Sequence, residues 1–354
     1  MRSLPFACYK ALYDGKNYPS KEFFTALDSR LSDFADKKLP REHSPIATKI
    51  GTLCKSAATL LGLNEGIAVS TPQIDAHAAM PALKITGEGV LMLILGTSSC
   101  HMINSKEAKA IEGICGYVEN GVIPEYTTYE AGQPATGDIF AWFVNNCLPS
   151  SYEKEASENG ISVHELLSER ASSLKVGESG LVCLDWHNGN RSTLNSSDLS
   201  GLILGLRLTT KPEEIYRALL ESTAFGTKKI VDNFEKNGVT VKSIVAAGGI
   251  AKKNPLMMQI YADVLGREIS VSESTQAGAL GSAIYAAVAS GVYSTLEEAA
   301  DKMGASTLLT YKVQKENHEL YKKLYAEYSE LYDHFGGVCS VMKRLGDLKS
   351  AVKG

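Results

Sequence analysis

The sequence has no apolar segment long enough to cross a lipid bilayer. Its run Val90–Leu95 is far shorter than the roughly 20 residues that a membrane-spanning helix needs. Residues 1–6 carry one charge with no long apolar stretch behind it, so a secretion signal is not expected. Basic residues are not in excess, since the net charge is −4. We therefore expect neither a membrane nor a nucleic acid as a partner.

Cysteine pairs of the CxxC type are also missing. The seven cysteines are scattered along the chain, and their number is odd. A disulfide framework or a zinc knuckle is therefore a poor interpretation, and free thiols in a reducing cytoplasm fit better. His77 has no second ligand at a suitable spacing, so we interpret it as structural and assign no metal-ligating residue.

The composition that is present is that of an ordinary globular protein, with 44% hydrophobic and 21% charged residues in a chain of 354. This length accommodates one large domain or two smaller ones. Segments with strand patterns alternate with segments of helical periodicity, which indicates an α/β fold. The turn Thr86-Gly87-Glu88-Gly89 is a candidate domain boundary.

The predicted strands lead into glycine-rich turns. Val90–Leu95 is continuously apolar, as in a strand buried on both faces, and Cys100-His101-Met102-Ile103 is its expected hairpin partner. Ser243–Ala247 is a second buried strand, which runs into Gly248-Gly249. We expect it in the same sheet as the hairpin, with the glycine pair opening toward the hairpin turn. Shorter strands are predicted at residues 67–69 and 268–272.

Helices are predicted where apolar residues recur at helical spacing. The longest covers residues 210–237, with Pro212 in its first turn. Asn254 and Pro255 have the residue types of a helix cap and a first helical residue. A helix at residues 277–290 is rich in alanine and glycine, which suits close packing. Further helices are predicted at residues 20–37, 53–62 and 317–335.

Two glycine-containing turns are candidates for phosphate or nucleotide binding. The hairpin turn Gly96-Thr97-Ser98-Ser99 offers small residues, backbone N–H groups and hydroxyl donors. From these residues alone, a plain polar turn is the better interpretation. Gly248 and Gly249 with Asn254 could let a flat ligand lie against the main chain. A simple strand-to-helix turn with a cap explains them equally well.

Three charged residues are candidates for contact with a substrate. Asp75 directly follows a predicted strand and could accept the proton of a hydroxyl group, but aspartate is also a favoured helix cap. Glu130 sits among small uncharged residues, and Lys10 is isolated. Taken alone, each is interpreted as an ordinary surface group. The polar loop at residues 185–191 is either a substrate loop or a well-packed turn.

Taken in order, these segments resemble the FGGY family of carbohydrate kinases, and within it the ribulokinases. The resemblance covers essentially the whole chain, and its specificity lies in the ordered set. The matching stretches include Ile74-Asp75-Ala76-His77, Leu95-Gly96-Thr97-Ser98-Ser99-Cys100, Gly113-Ile114-Cys115-Gly116, Glu130-Ala131-Gly132-Gln133, Leu184-Asp185-Trp186, Asn188-Gly189-Asn190-Arg191, Glu221-Ser222-Thr223-Ala224-Phe225-Gly226 and Gly248-Gly249-Ile250-Ala251-Lys252-Lys253-Asn254-Pro255.

The resemblance implies two actin-like, ribonuclease-H-like lobes with ATP in the cleft between them. Residues 1–85 would be the end portion of the N-terminal lobe, residues 86–335 the C-terminal, ATP-binding lobe, and residues 336–354 a C-terminal tail. The implied activity is ATP-dependent, in-line phosphorylation of a ketopentose. L-Ribulose is the expected sugar, converted to L-ribulose 5-phosphate in L-arabinose catabolism.

The resemblance also implies a role for each candidate residue. Asp75 would be the catalytic base at the sugar 5-hydroxyl, and Lys10 and Glu130 would contact the sugar. The ATP and its Mg²⁺ would lie in the cleft, with Mg²⁺ bridging the phosphates. The ATP-binding residues would be Gly96, Thr97 and Ser98 in the hairpin and Gly248, Gly249 and Asn254 at the adenosine corner.

Two departures from the family pattern leave alternatives open. The family's opening Asp-Gly-Thr turn does not precede Lys10, and Cys8 stands where ribulokinases usually have glycine. The alternatives are a truncated, non-catalytic nucleotide-binding remnant, half of a split enzyme, and another sugar kinase such as a xylulokinase. A second copy of the chain and a separate chain carrying the N-terminal lobe are the two macromolecular partners considered.

Overall fold

The computed structural model describes residues 2–353. The strands are β1 (Arg2–Ser3), β2 (His43–Ser44), β3 (Lys49–Thr52), β4 (Ala68–Ser70), β5 (Val90–Leu95), β6 (Ser99–Ser105), β7 (Gly116–Glu119), β8 (Thr127–Gln133), β9 (Val182–Leu184), β10 (Leu202–Leu204), β11 (Ser243–Ala247), β12 (Ile269–Ser272) and β13 (Thr307–Tyr311).

The α-helices are α1 (Leu4–Ala11), α2 (Lys21–Leu27), α3 (Phe34–Lys38), α4 (Lys55–Leu61), α5 (Asp75–Ala82), α6 (Gly137–Cys147), α7 (Ser150–Glu158), α8 (Val163–Ser172), α9 (Pro212–Lys236), α10 (Gly249–Lys253), α11 (Pro255–Leu265), α12 (Ala277–Ala289), α13 (Leu296–Met303), α14 (Lys315–Asp333) and α15 (Val341–Lys353). A 3₁₀ turn covers Ser29–Leu31, and a π-helical turn covers His334–Val338. Within residues 2–353, none of the helices is both long and apolar enough to span a bilayer.

A seven-stranded mixed sheet, in the order β13-β12-β11-β5-β6-β8-β7, organises the fold. Strands β12, β11 and β5 are parallel to one another, whereas the pairs β5–β6, β6–β8 and β8–β7 are antiparallel. The predicted hairpin is confirmed, with Leu95 opposite Ser99. The prediction that Ser243–Ala247 shares its sheet is also confirmed, because β11 pairs directly with β5.

Both faces of this sheet are covered. Leu91, Leu93 and Leu95 point to one face and pack in a core with residues of α6, α9 and α11. Met92 points to the other face and packs in a second core with residues of α5, α12 and α13. This two-sided burial explains why β5 is apolar at every position rather than at alternate ones.

Helices α5 and α12 pack closely, as the small residues of α12 predict. A Cβ atom on Gly281 would lie 1.6 Å from the carbonyl oxygen of Ala78, and one on Gly278 would lie 3.0 Å from that of Asp75. Only glycine permits so short a distance between the two backbones at Gly281. Helix α5 thus rests on an element some 200 residues later in the chain, while the domain boundary at residues 85 and 86 stays a prediction.

The predicted single helix over residues 20–37 is wrong. The structure has α2, a 3₁₀ turn and α3 there, and the break is at Asp28, which is extended with φ −162°. The Asp28 carboxylate accepts a hydrogen bond from the backbone N–H of Arg30 at 2.8 Å. Aspartate and serine side chains compete in this way with helical hydrogen bonds, which the apolar spacing does not reveal.

The other helix predictions agree with the structure to within a few residues. Residues 210–237 contain α9, residues 277–290 contain α12, and residues 317–335 overlap α14. Asn254 caps α11 by accepting a hydrogen bond from the N–H of Met257 at 2.9 Å. The segment 336–354, to which the sequence assigned no element, contains α15.

Candidate active site

The hairpin turn between β5 and β6 is attached to the start of α6. The carbonyl oxygen of Thr97 accepts hydrogen bonds from the N–H groups of Thr136 and Asp138 at 2.8 and 3.2 Å. The carbonyl oxygen of Gly96 accepts one from Gly137 at 3.0 Å. Because these bonds hold the backbone of the turn, the exposed Thr97 side chain is presented to solvent from a fixed position.

Gly248 brings the end of β11 against the end of β5. Its backbone has φ 102° and ψ 165°, a region that essentially only glycine occupies. A Cβ atom there would lie 2.3 Å from the carbonyl oxygen of Leu95, and one on Gly137 would lie 2.8 Å from both Gly96 and Ile250. The hairpin turn, the start of α6 and α10 therefore meet at one corner, as expected for the glycine pair.

A buried polar network lies beneath this corner, with Gln133 at its centre. Its side-chain oxygen accepts hydrogen bonds from the hydroxyl groups of Ser99 and Thr227 at 2.9 and 3.0 Å. Its amide group donates to the Asp185 carboxylate at 2.8 Å, and the Tyr328 hydroxyl donates to the same carboxylate at 2.8 Å. Burial raises the pKa of Asp185, although these hydrogen bonds oppose the shift. The network ties the first residue of β6 to α9 and α14.

Asp75 and His77 lie in the first turn of α5. Asp75 is the first helical residue rather than the cap, since Ile74 occupies the cap position. Its carboxylate is exposed and accepts a hydrogen bond from the N–H of Ala76 at 2.8 Å. His77 is buried and hydrogen-bonds the Glu130 carboxylate, with Nε2 and Oε2 3.0 Å apart.

Glu130 is a largely buried carboxylate with cationic groups around it. Its side chain is 13% exposed. Burial alone would raise its pKa, but the His77 hydrogen bond and the charges of Lys10 and Arg191 outweigh burial and hold the pKa below its usual value. Tyr9 packs edge-on against the His77 ring and donates a hydrogen bond to the carbonyl oxygen of Thr128 at 2.5 Å. Helix α1 is thereby fixed beside β8, with the exposed Lys10 at its C-terminal end.

The comparisons with known proteins decide what kind of lobe this is. The model of the "FGGY family of carbohydrate kinases, C-terminal domain" matches residues 91–290. The chain belongs to the FGGY family of carbohydrate kinases. It is 49% identical to a ribulokinase of Bacillus licheniformis over 97% of this chain and 63% of that protein. It is 51% identical to a ribulokinase of Halalkalibacterium halodurans over 97% of this chain and 62% of that protein.

Solved structures of FGGY kinases share the fold. A xylulose kinase from Rhodospirillum rubrum matches with a TM-score of 0.70 and 26% identity, covering 82% of this chain and 56% of that one. A gluconate kinase from Lactobacillus acidophilus matches with a TM-score of 0.74 and 18% identity, covering 88% and 61%. The predicted actin-like α/β fold is confirmed. The chain spans slightly less than two thirds of the length of the two ribulokinases.

In this chain of the FGGY family the predicted site residues form two groups. Gly96, Thr97 and Ser98 lie beside the glycine corner. In the second group Glu130 bonds His77, the charge of Lys10 lowers the pKa of Glu130, and Asp75 begins the helix that carries His77. Asn254 is 9% exposed, and its amide group also donates to the Ser168 hydroxyl at 3.3 Å. Its role as a helix cap is therefore confirmed, while its contact with a nucleotide stays a prediction.

The polar loop at residues 185–191 is in part a well-packed turn, while its role as a substrate loop stays a prediction. Asp185 and Trp186 are buried and pack within the lobe. His187 lies against the half-exposed Trp142, with ring centroids 4.9 Å apart, at a cavity of about 540 Å³ that Asp138 and Asn188 also line. The side chain of Arg191 is exposed and lies over β6 and β8. Sequence reasoning did not select Arg191, although it is the cation of an otherwise uncharged Asn-Gly-Asn segment.

Proposed function

We propose that the chain carries the substrate site of an ATP-dependent ketopentose kinase acting on L-ribulose. The identity to two ribulokinases supports the choice of sugar. The observation that carries the chemistry is the first turn of α5. That turn presents the Asp75 carboxylate and, two residues later, fixes Glu130 through His77. Helix α5 thereby carries the proposed base, Asp75, and also positions Glu130, the carboxylate proposed to bind sugar hydroxyls.

In this proposal the reaction is an in-line displacement. The 5-hydroxyl oxygen of the sugar forms a bond to the γ-phosphorus as the bond from that phosphorus to the β–γ bridging oxygen breaks. The hydroxyl proton passes to Asp75, and the products are ADP and L-ribulose 5-phosphate. Glu130 accepts hydrogen bonds from sugar hydroxyls, and Lys10 donates to them. The low pKa of Glu130 keeps its carboxylate an acceptor at neutral pH.

The glycine corner and the hairpin turn suit a nucleotide. Gly248 and Gly249 leave the main chain without side chains beside it, and Thr97 offers an exposed hydroxyl next to the positive start of α6. Asn254 retains one amide hydrogen after its bond to Ser168. Within residues 2–353 no group of three or more His, Cys, Asp or Glu side chains is placed to hold a metal ion. Mg²⁺ would therefore be held chiefly by ATP phosphates and water, where it neutralises phosphate charge.

The same proposal includes a role in L-arabinose catabolism, the pathway in which L-ribulose would be formed and used. It also includes a cytoplasmic location, where that pathway would operate. A xylulokinase activity is the alternative within the family. The sugar panel below distinguishes the two, since D-xylulose and L-ribulose differ only in the arrangement of their hydroxyl groups. The strength of the hydrogen bonds from Lys10 and to Glu130 is expected to depend on that arrangement.

Titration calorimetry with L-ribulose, D-xylulose and glycerol tests the proposal, with ADP release as a second readout. We expect L-ribulose to bind most tightly, and Lys10→Met to weaken its binding about tenfold through loss of a charged hydrogen bond. Lys55→Met is the matched control, because Lys55 is equally exposed at the start of α4 and should leave binding unchanged. Absence of sugar binding, or equal binding by the parent and Lys10→Met, would contradict the proposal.

A further inference from the structure

The loop between β9 and β10 holds one arginine with buried residues on both sides. Asn190 is 7% exposed and Ser192 is 5% exposed, whereas Arg191 between them is exposed. The Asn190 side chain accepts hydrogen bonds from the N–H groups of Thr193 and Leu194 at 3.2 and 3.0 Å. The Ser192 hydroxyl accepts one from the N–H of Gly132 at 3.0 Å. The backbone that carries Arg191 is therefore fixed to the sheet.

The Arg191 guanidinium lies across the sheet between the two groups of site residues. Its Nη2 atom donates a hydrogen bond to the carbonyl oxygen of Ser99, the residue after the hairpin turn, at 3.0 Å. It also passes directly over Gly132, where a Cβ atom would lie 2.2 Å from Nη2. Gly132 and Glu130 are two residues apart on β8, so they share one face of the sheet. The guanidinium thus lies on the face of Glu130, at the side nearer the hairpin turn.

This guanidinium has no ion-pair partner among the described side chains. Among the ion pairs of residues 2–353, which reach to 4.0 Å, none includes Arg191. Its field contributes to the lowered pKa of Glu130, yet Glu130 takes its hydrogen bond from His77 instead. An arginine has five N–H donors, and Ser99 accepts from one of them. A fixed and exposed cation with further N–H donors is suited to bind an anion.

We propose that Arg191 binds the phosphoryl group as it passes from the nucleotide to the sugar, and that it holds the phosphate of the sugar phosphate product. This inference rests on the proposed function. It follows from position, since the guanidinium bonds Ser99, beside the hairpin turn assigned to ATP phosphates, and lies over Gly132, two residues from the Glu130 assigned to the sugar. A guanidinium can donate two parallel hydrogen bonds to phosphoryl oxygens, on which the charge of the transferred group is spread. The opposing interpretation is that Arg191 only braces Ser99.

Titration calorimetry on the 354-residue chain with L-ribulose and L-ribulose 5-phosphate tests the inference. The parent should bind the phosphorylated sugar more tightly than the free sugar. Arg191→Gln should weaken binding of L-ribulose 5-phosphate about 10- to 100-fold, while binding of L-ribulose changes less than about twofold. Arg191→Lys, which keeps the charge but not the fork of donors, should retain part of the preference. Arg207→Gln, at an exposed arginine after β10, is the matched control.

Each outcome has a separate meaning. Equal weakening of both sugars by Arg191→Gln, with a lowered melting temperature, would show a brace and overturn the inference. An unchanged preference for the phosphorylated sugar in Arg191→Gln would overturn it as well. If the parent binds L-ribulose but shows no preference for its phosphate, this inference fails and the proposed function stands. If the parent binds neither sugar, the proposed function fails and the inference fails with it.

Discussion

Replacing Gly248 by alanine should destabilise the whole lobe. The φ of 102° and ψ of 165° at Gly248 lie in a region that costs other residues about 1–3 kcal/mol. The added Cβ would also lie 2.3 Å from the carbonyl oxygen of Leu95 and 3.0 Å from its carbonyl carbon. Both are backbone atoms of β5, so no side chain can turn away to relieve the contact.

The two effects together set the expected size of the change. Overpacking in a rigid site typically costs about 1–3 kcal/mol, which gives roughly 2–6 kcal/mol when the backbone strain is included. Strand β11 pairs with β5 up to Ala247, directly before the substitution. Relief of the contact would therefore pull apart the central pair of the sheet. A loss of this size is a large share of the roughly 5–15 kcal/mol by which domains are stable.

Gly249→Ala is the matched control, one residue along the chain. Gly249 begins α10, its φ is not positive, and a Cβ atom there would meet nothing within 4 Å. We expect its free energy of unfolding to change by less than about 0.5 kcal/mol. The new methyl group would, however, enter the space assigned to the nucleotide. The affinity for ADP should therefore fall even though the fold is intact.

Urea denaturation followed by circular dichroism measures the stability of the three proteins, and calorimetry measures their ADP binding. Gly248→Ala should unfold at clearly lower urea, and Gly249→Ala at the parent's midpoint. If both variants unfold at the parent's midpoint, the reasoning from backbone strain is refuted. If Gly249→Ala binds ADP as the parent does, the corner is not where the nucleotide lies.

Four further predictions concern other parts of the molecule. In a preparation that phosphorylates L-ribulose, Asp75→Asn should lower kcat by about 10²–10⁴ with little change in sugar affinity or melting temperature; turnover within a few-fold of the parent would reduce this residue to a structural one. The lowered pKa of Glu130 means that its carboxylate stabilises the fold above the unfolded-state value near 4.5, and that this contribution is lost as the pH falls through the folded-state pKa. The stability difference between the parent and Glu130→Gln should accordingly shrink on acidification, and a difference independent of pH would contradict this. Glu221→Ala leaves the buried Arg217 without the carboxylate oxygen 2.9 Å away, and should lower the free energy of unfolding, measured by urea denaturation, by about 3–5 kcal/mol. Replacing both Glu221 and Arg217, by leucine and methionine, should restore a large part of that loss. Leu27 in α2 is 64% exposed, so hydrogen exchange should be much faster at its backbone amide than at the amides of β11. Equal protection would show that α2 is as stable as the sheet.

Local sequence patterns were sufficient for the elements whose residues carry the signal themselves. The apolar run of β5, the Asn254-Pro255 start of α11 and the length of α9 are all readable from neighbouring residues. They are found because burial and capping impose a residue type at each position. The glycine corner was expected because glycine lets the end of a buried strand approach another backbone closely, although a plain strand-to-helix turn explained the same residues equally well.

The contacts that make the candidate site depend on partners far apart in the chain. His77 meets Glu130 across 53 residues, and Arg191 meets Ser99 across 92. No periodicity or motif spacing reports such pairs, because they follow from strand register and from the course of the β9–β10 loop. The break at Asp28 was missed for a different reason, since its short side chain acts on the backbone rather than through the apolar pattern.

The contact of α5 with α12 limits where the chain can be divided by design. Gly278 and Gly281 lie against the backbone of Asp75 and Ala78, so the helix with the proposed base packs on residues of the later helix α12. A split reporter divided at the turn of residues 86–89 would put α5 and α12 on different fragments and leave each fragment with an uncovered apolar face. A division in the exposed segment at residues 62–66 would keep both helices on one fragment. The second position is therefore the one to choose for a reassembling split protein.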